Sequence, residues 1–216
     1  MGLSGSDWLA LLEGAVFTVA LSLTAVVIGV PAGLGLALIR WMRVPVLAPI
    51  VAVVVSVLRA APAVTLALLI FFALPSAGLS LERLPAAIAT LTLSTAAFNC
   101  EIWRASLLAL PADQMDAALA MGMRRGLRLR RIVLPQVARA ALPALVSEVM
   151  LLVKVSPAVA VLGVVDITRA AVRIGAQTYE PLPPFMVALV IYSLIVFAFV
   201  RLQRMVERRG RLAHAT

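Results

Sequence analysis

Five long apolar runs alternate with short polar breaks along the chain. They occupy about 14–39, 46–74, 86–108, 137–165 and 185–200. A helix needs about 20 apolar residues to cross a bilayer, and most of these runs reach that length. None keeps the period-two alternation of a barrel strand. The pattern predicts an all-α integral membrane protein with five transmembrane helices in a single domain, 1–216. No internal repeat and no separate soluble domain is visible in it.

Polar positions inside the runs refine this picture. In the first, Thr18, Ser22 and Thr24 cost little, because a hydroxyl can bond back to a helix carbonyl. Gly29, Gly33 and Gly35, with Ala32 and Ala37, predict a small-residue face for close helix contact. Arg59-Ala60-Ala61-Pro62 interrupts the second run. An arginine at membrane depth is costly, so Arg59 is expected to face protein or water. The alternatives are that it snorkels or that the span begins after it. The third run carries Thr90, Thr92, Ser94, Thr95 and Asn99, then Glu101 and Arg104. Those two charges are three residues apart on one helix face and are placed to pair. The fourth contains Glu148 and Lys154, with Pro157 breaking its outer end. The segment 166–184 is mixed in character.

The longest polar break is 110–136, LPADQMDAALAMGMRRGLRLRRIVLPQ. A polar loop of this length is unusual unless it has a function. Pro111 suits a first helical turn, where its missing N–H does no harm. Asp113 and Asp116 lie near the positive end of that helix, and Arg124 and Arg125 near the negative end. Ala117, Ala118 and Ala120 offer a smooth face to a partner's cleft, while Gly122 and Gly126 permit turns. A basic segment, 127–133, follows before Leu134-Pro135 begins the next span. The expectation is two short helices along one membrane face. An interfacial helix touching anionic lipid is the alternative. The arginines fit both readings; the acids and alanines favour a protein partner.

Composition excludes a soluble chain: 63% of residues are hydrophobic and 13% charged, against about 25% charged in ordinary domains. The net charge is +9, yet nucleic-acid binding is not the simplest account. Fourteen basic residues lie in 40–43, 104–139 and 201–211, against Arg83, Arg169 and Arg173 on the other side. The positive-inside rule then places the N-terminus outside, and 110–136 and the C-terminus in the cytoplasm. The start MGLSGSDWLALLEG lacks a basic n-region, so no cleavable signal peptide is expected. Gly2 with Ser6 fits a myristoylation pattern only superficially. Cys100 is alone and expected as a small buried hydrophobe, and His214 is the only histidine. No catalytic or metal-ligating constellation follows from them. No GxxxxGK[ST] loop is present, so ATP chemistry would belong to another subunit.

The cytoplasmic stretch resembles the signature of permease subunits in binding-protein-dependent ABC importers: Glu-Ala-Ala, three residues, Gly, nine residues, an aliphatic, one residue, Leu-Pro. Asp116, Ala117, Ala118, Gly122, Ile132, Leu134 and Pro135 fall at those positions, with Asp in place of Glu. The chain is similar, over nearly its whole length, to the polar amino acid branch, the histidine, glutamine and arginine uptake type. Gly14-Ala15-Val16-Phe17-Thr18, Arg59-Ala60-Ala61-Pro62, Glu101-Ile102-Trp103-Arg104, Pro135-Gln136, Leu142-Pro143, Glu148, Lys154 and Gly163-Val164-Val165-Asp166 carry that likeness. The resemblance implies the type I importer permease fold, with 110–136 as the coupling segment in a cleft of an ATP-binding subunit. It implies a bacterial inner-membrane location and an extracytoplasmic solute-binding protein. A second permease subunit, identical or not, is implied too. ATP and magnesium would bind on the partner subunit and no cofactor on this chain. A permease half for another small solute and a non-transporting membrane scaffold are the alternatives.

The candidate solute path comprises Arg59, Glu148, Lys154 and Ser156. Glu148 and Lys154 offer opposite charges to an amino acid's two ends. At about 100° per residue, however, Lys154 points about 120° away from Glu148. Seven residues beyond Glu148 stands Val155, where the resemblance leads one to expect Asp. A carboxylate for a cationic side chain is thus absent from this run. Either the solute is another polar or acidic amino acid or an opine-like derivative, or a partner permease carries that part of the site. Glu148 and Lys154 also fit a purely structural role.

Overall fold

The computed structural model describes residues 3–212; Gly2 and His214 lie outside them. All regular elements among these residues are helical. Helix α1, Gly5–Trp41, is 37 residues long. It starts well before the apolar run because Ser4 and Asp7 form a reciprocal capping box. Its buried stripe consists mostly of small residues, among them Gly14, Ala25, Gly29, Gly33 and Ala37. Helix α4, Arg83–Leu108, lies against that stripe. Ala32 and Gly35 lie off it: both are exposed, and nothing approaches within 4 Å of a Cβ built on Gly35. The small-residue face is therefore the narrower Gly29, Gly33, Ala37 row at i, i+4 and i+8, as one helix face requires.

The second apolar run divides into α2, Leu47–Ala60, and α3, Ala63–Leu68. A π turn and a 3-10 turn carry α3 on to Ala77, and the chain bends by 111° between the two arms. Ala61 is extended and Pro62 caps α3, in keeping with the steric bar on α conformation before proline. Three helical stretches are long and apolar enough to cross a membrane, Gly5–Trp41, Arg125–Leu162 and Leu182–Met205, and the bent pair makes a fourth. The fifth, α4, is too polar to count by composition. It holds the centre of the bundle, where Thr90, Thr95, Asn99, Cys100 and Trp103 are buried.

Three apolar clusters stack along the bundle. The middle one gathers Leu21, Leu66, Leu91, Leu152 and Val159. A second gathers Ala37, Cys100, Trp103, Val133, Val137 and Leu145 at the end where α1 finishes. The third joins Leu11 of α1 to Ile167, Ala171 and Ile174 of α8 (Ile167–Thr178) and to Ala188 of α9 (Leu182–Leu212). Helix α8, within the mixed segment, thus lies at the opposite end of α1 from 110–136.

One expectation is corrected here. The basic segment 127–133 does not form a separate short helix, and Leu134-Pro135 does not begin a span. Helix α6, Arg125–Arg128, passes through a π turn, Leu129–Val133, into α7, Leu134–Val155. The Leu134 N–H donates to the Leu129 carbonyl, five residues back. Pro135 has no N–H and its ring crowds the carbonyl four residues before it. A widened turn accommodates that defect, and the helix continues. At its far end it tightens into a 3-10 turn, Ser156–Leu162, at Pro157, and stops at Gly163 with φ +87°.

Candidate functional site

Helix α5, Ala112–Ala120, is the free-standing part of the 110–136 stretch. Pro111 is its N-cap and Asp113 lies in its first turn, where a negative charge is favoured. Its far end closes with a Schellman motif: the Met123 N–H donates to the Ala118 carbonyl and the Gly122 N–H to Leu119. Gly122 has φ +70° and nothing near it, so it is there for its backbone conformation rather than for space. The Gln136 amide donates to Gln114 across 2.9 Å, tying α5 to the base of α7. Leu110, Met115 and Leu129 pack onto the cluster around Trp103.

This anchoring divides the expected docking residues. Ala118 is only 3% exposed and faces the chain's own interior, so it does not belong to a docking face as the sequence had implied. Asp113, Asp116, Ala117 and Ala120 are exposed, together with Leu119 and, at 82% exposure, Met121. By pattern alone Leu119 and Met121 look like ordinary core positions; the burial of Ala118 fixes the helix's rotation and turns them outward. Leu134 is half-buried and Pro135 exposed, both within the continuous helix above the π turn.

The candidate path residues do not converge on one pocket. Glu148 is 9% exposed on the inner face of α7. Arg59 lies within electrostatic reach of it and stacks over the Phe98 ring at 5.3 Å. Lys154 is exposed on another face of α7. Ser156 is fully buried and donates its hydroxyl to the Val153 carbonyl at 2.9 Å. Of the four, Arg59 and Glu148 lie within electrostatic reach of each other without forming an ion pair among the described residues.

Two polar clusters, one of them an ion-pair network, hold the bundle at its two ends. Arg104 donates to Glu101 at 2.8 Å, as the i,i+3 spacing suggests. Arg40 of α1 pairs with the same carboxylate, a partner that no local spacing could reveal. Trp103 adds a bond from its indole N–H to the Val30 carbonyl at 3.1 Å. At the opposite end the buried Asp166 caps α8 through the Arg169 N–H and accepts from the Tyr192 hydroxyl of α9. Thr18 of α1 accepts from the Ile167 N–H, and Gly14 lets that backbone come close.

Known proteins share this arrangement. Residues 29–212 match the family described as the binding-protein-dependent transport system inner membrane component. The chain is 32% identical to the arginine transport system permease protein of Bacillus subtilis (strain 168), over 92% of this chain and 91% of that one. It is also 32% identical to the octopine transport system permease protein of Rhizobium radiobacter, covering 93% and 85%. A crystal structure of an amino acid ABC transporter with histidines superposes with a TM-score of 0.86 at 29% identity, over 97% of this chain and 100% of that one. The superposition takes in nearly the whole chain and gives it the type I importer permease fold. The chain belongs to the binding-protein-dependent transport system inner membrane component family and is a membrane permease subunit of an ABC importer.

Proposed function

We propose that this permease carries an amino acid or amino-acid-like solute into the cytoplasm, driven by ATP hydrolysis on a separate subunit. Magnesium and ATP bind on that subunit. Helix α5 is the coupling element, seated in the ATPase cleft through Asp113, Asp116, Ala117, Leu119, Ala120 and Met121. Gly122, Leu134 and Pro135 shape and support it, and Ala118 roots it. The observation that carries this reading is α5 itself: a short helix, closed at its far end and tied to α7, presents an acidic and apolar face next to the arginine-rich segment 124–131. A rigid element tied to the spans can pass a cleft's closure into them without melting. The concentration of arginines supports a cytoplasmic position for this end. The N-terminus and α8 then face outward, toward the solute-binding protein. Two permease subunits, identical or not, complete the pore.

Arg59 and Glu148 are proposed to face the solute, with Ser156 holding the turn above them and Lys154 facing a neighbouring subunit. The relatives transport arginine and octopine by name, which supports a solute with amino acid character. Val155, half-buried in place of a carboxylate, argues that any cationic side chain is met by the partner permease. The test is reconstitution with the cognate ATPase subunit and binding protein, assayed against a panel of amino acids and opines. The expected result is ATP-dependent uptake of one or a few of them, with affinity weakened by Glu148→Gln. Uptake of a chemically unrelated solute alone would reject the amino acid assignment.

A further inference from the structure

Beside α5 lies a cleft of about 230 Å³, lined by Trp41, Met42, Arg43, Met115, Arg125, Arg128, Leu129 and Val133. It is built where α1 ends, between the root of α5 and the first turns of the Arg125–Leu162 helix. Three arginines line it and no acidic residue does. Among the described residues none of the three forms an ion pair. Arg128 Nε is shielded from water and has no hydrogen-bond partner. A shielded guanidinium N–H without an acceptor is costly, and an anionic oxygen is its natural partner. The remaining wall is apolar, with Met42, Leu129 and Val133, and Trp41 is the kind of side chain that sits at headgroup level.

We infer that this cleft holds the phosphate headgroup of an anionic phospholipid from the cytoplasmic leaflet. Guanidinium forks fit the oxygens of a phosphate diester, and three of them more than balance its single negative charge. The apolar wall gives the glycerol and first acyl carbons a dry path to the hydrocarbon region. Basic pockets between spans on the cytoplasmic side bind such headgroups for these reasons. A carboxylate of the ATPase subunit is the rival occupant, since α5 is adjacent. The apolar wall and Trp41 favour lipid, because a protein acid would not need them. The stretch 110–136 then divides its labour: the exposed face of α5 serves the protein partner, while Arg125 and Arg128 serve the membrane. This inference rests on the cytoplasmic assignment of this end and not on the identity of the solute.

The test uses the permease purified in detergent with its ATPase subunit. Retention of phosphatidylglycerol against phosphatidylcholine is read by native mass spectrometry, without ATP or solute, so that its failure leaves the transport reading standing. Wild type is expected to retain phosphatidylglycerol selectively. Arg43→Ala and Arg128→Ala are each expected to lower retention about five-fold, and Arg43→Lys to preserve most of it. Arg43 is exposed, so its variants report on the cleft even if loss of the half-buried Arg128 disturbs folding. Equal phosphatidylglycerol retention by wild type and Arg43→Ala would overturn the proposal. Inorganic phosphate is the second probe: phosphate binding that depends on Arg43 without competition from phosphatidylglycerol assigns the cleft to free phosphate and rejects the lipid. Loss of the ATPase subunit from Arg43→Ala at unchanged lipid retention assigns the arginines to the protein interface and likewise rejects it.

Discussion

Gly33 decides how closely α1 and α4 approach. A Cβ there would lie 2.9 Å from the Ala96 carbonyl oxygen and the Cys100 nitrogen, both backbone atoms. Side chains can repack, but two helix backbones can only separate. Gly33→Ala is expected to cost roughly 1–3 kcal/mol, read as a lowered melting temperature in detergent. Gly35→Ala, with nothing within 4 Å, should be neutral or slightly stabilising. Glu101 is the second residue on which much depends, since among the described residues it is the carboxylate that answers both Arg40 and Arg104. Glu101→Gln leaves two guanidinium groups facing each other. Because these side chains are partly exposed, the expected loss is modest, about 1–2 kcal/mol. Arg104→Ala should be milder, since Arg40 still holds the carboxylate.

Among the elements, α5 shows best what the pattern of residues could and could not convey. Its existence was legible from Pro111, the two acids and Gly122, because caps and turn residues have local physical reasons. Its rotation was not: Ala117, Ala118 and Ala120 are chemically alike, and only packing against the Trp103 cluster tells which is inside. Ala118→Leu is therefore expected to dislodge α5 from its own subunit and reduce the yield of folded protein. Leu119→Asp is expected to leave the fold intact and weaken recovery of the ATPase subunit in co-purification. Gly122→Pro should break the Schellman closure and uncouple ATP hydrolysis from uptake. The π turn before Pro135 was illegible for another reason: Leu-Pro reads as a helix start unless a widened turn absorbs the missing donor. Helix α8 also escaped notice, because it is short and amphipathic, carries Arg169 and Arg173, and is fixed by long-range contacts through Asp166, Thr18 and Tyr192.

At the scale of the whole molecule, the apolar runs and the uneven distribution of arginines made the architecture readable, since both follow from the bilayer as solvent. The break at Arg59–Pro62 was readable too, though not its 111° angle, which depends on the helices around it. The approach of Arg59 to Glu148 was not readable: spacing along α7 says which face each of its residues occupies, but only the fold brings another helix's arginine within electrostatic reach. Orientation is open to direct measurement because Cys100, the one cysteine, is buried. With a membrane-impermeant maleimide, Ser6→Cys is expected to label from outside and Arg204→Cys only after the membrane is opened. The reverse pattern would invert the topology. The central claim, that α5 transmits ATP hydrolysis to this pore, is tested most directly in proteoliposomes holding the permease, its ATPase subunit and the binding protein. ATP turnover and solute uptake are measured together for wild type and for a Leu119→Asp, Met121→Asp variant. The account predicts that the solute-loaded binding protein stimulates both in wild type, and that the variant loses the stimulation and the uptake together while α1–α9 stay folded. Undiminished, binding-protein-stimulated uptake by that variant would contradict it.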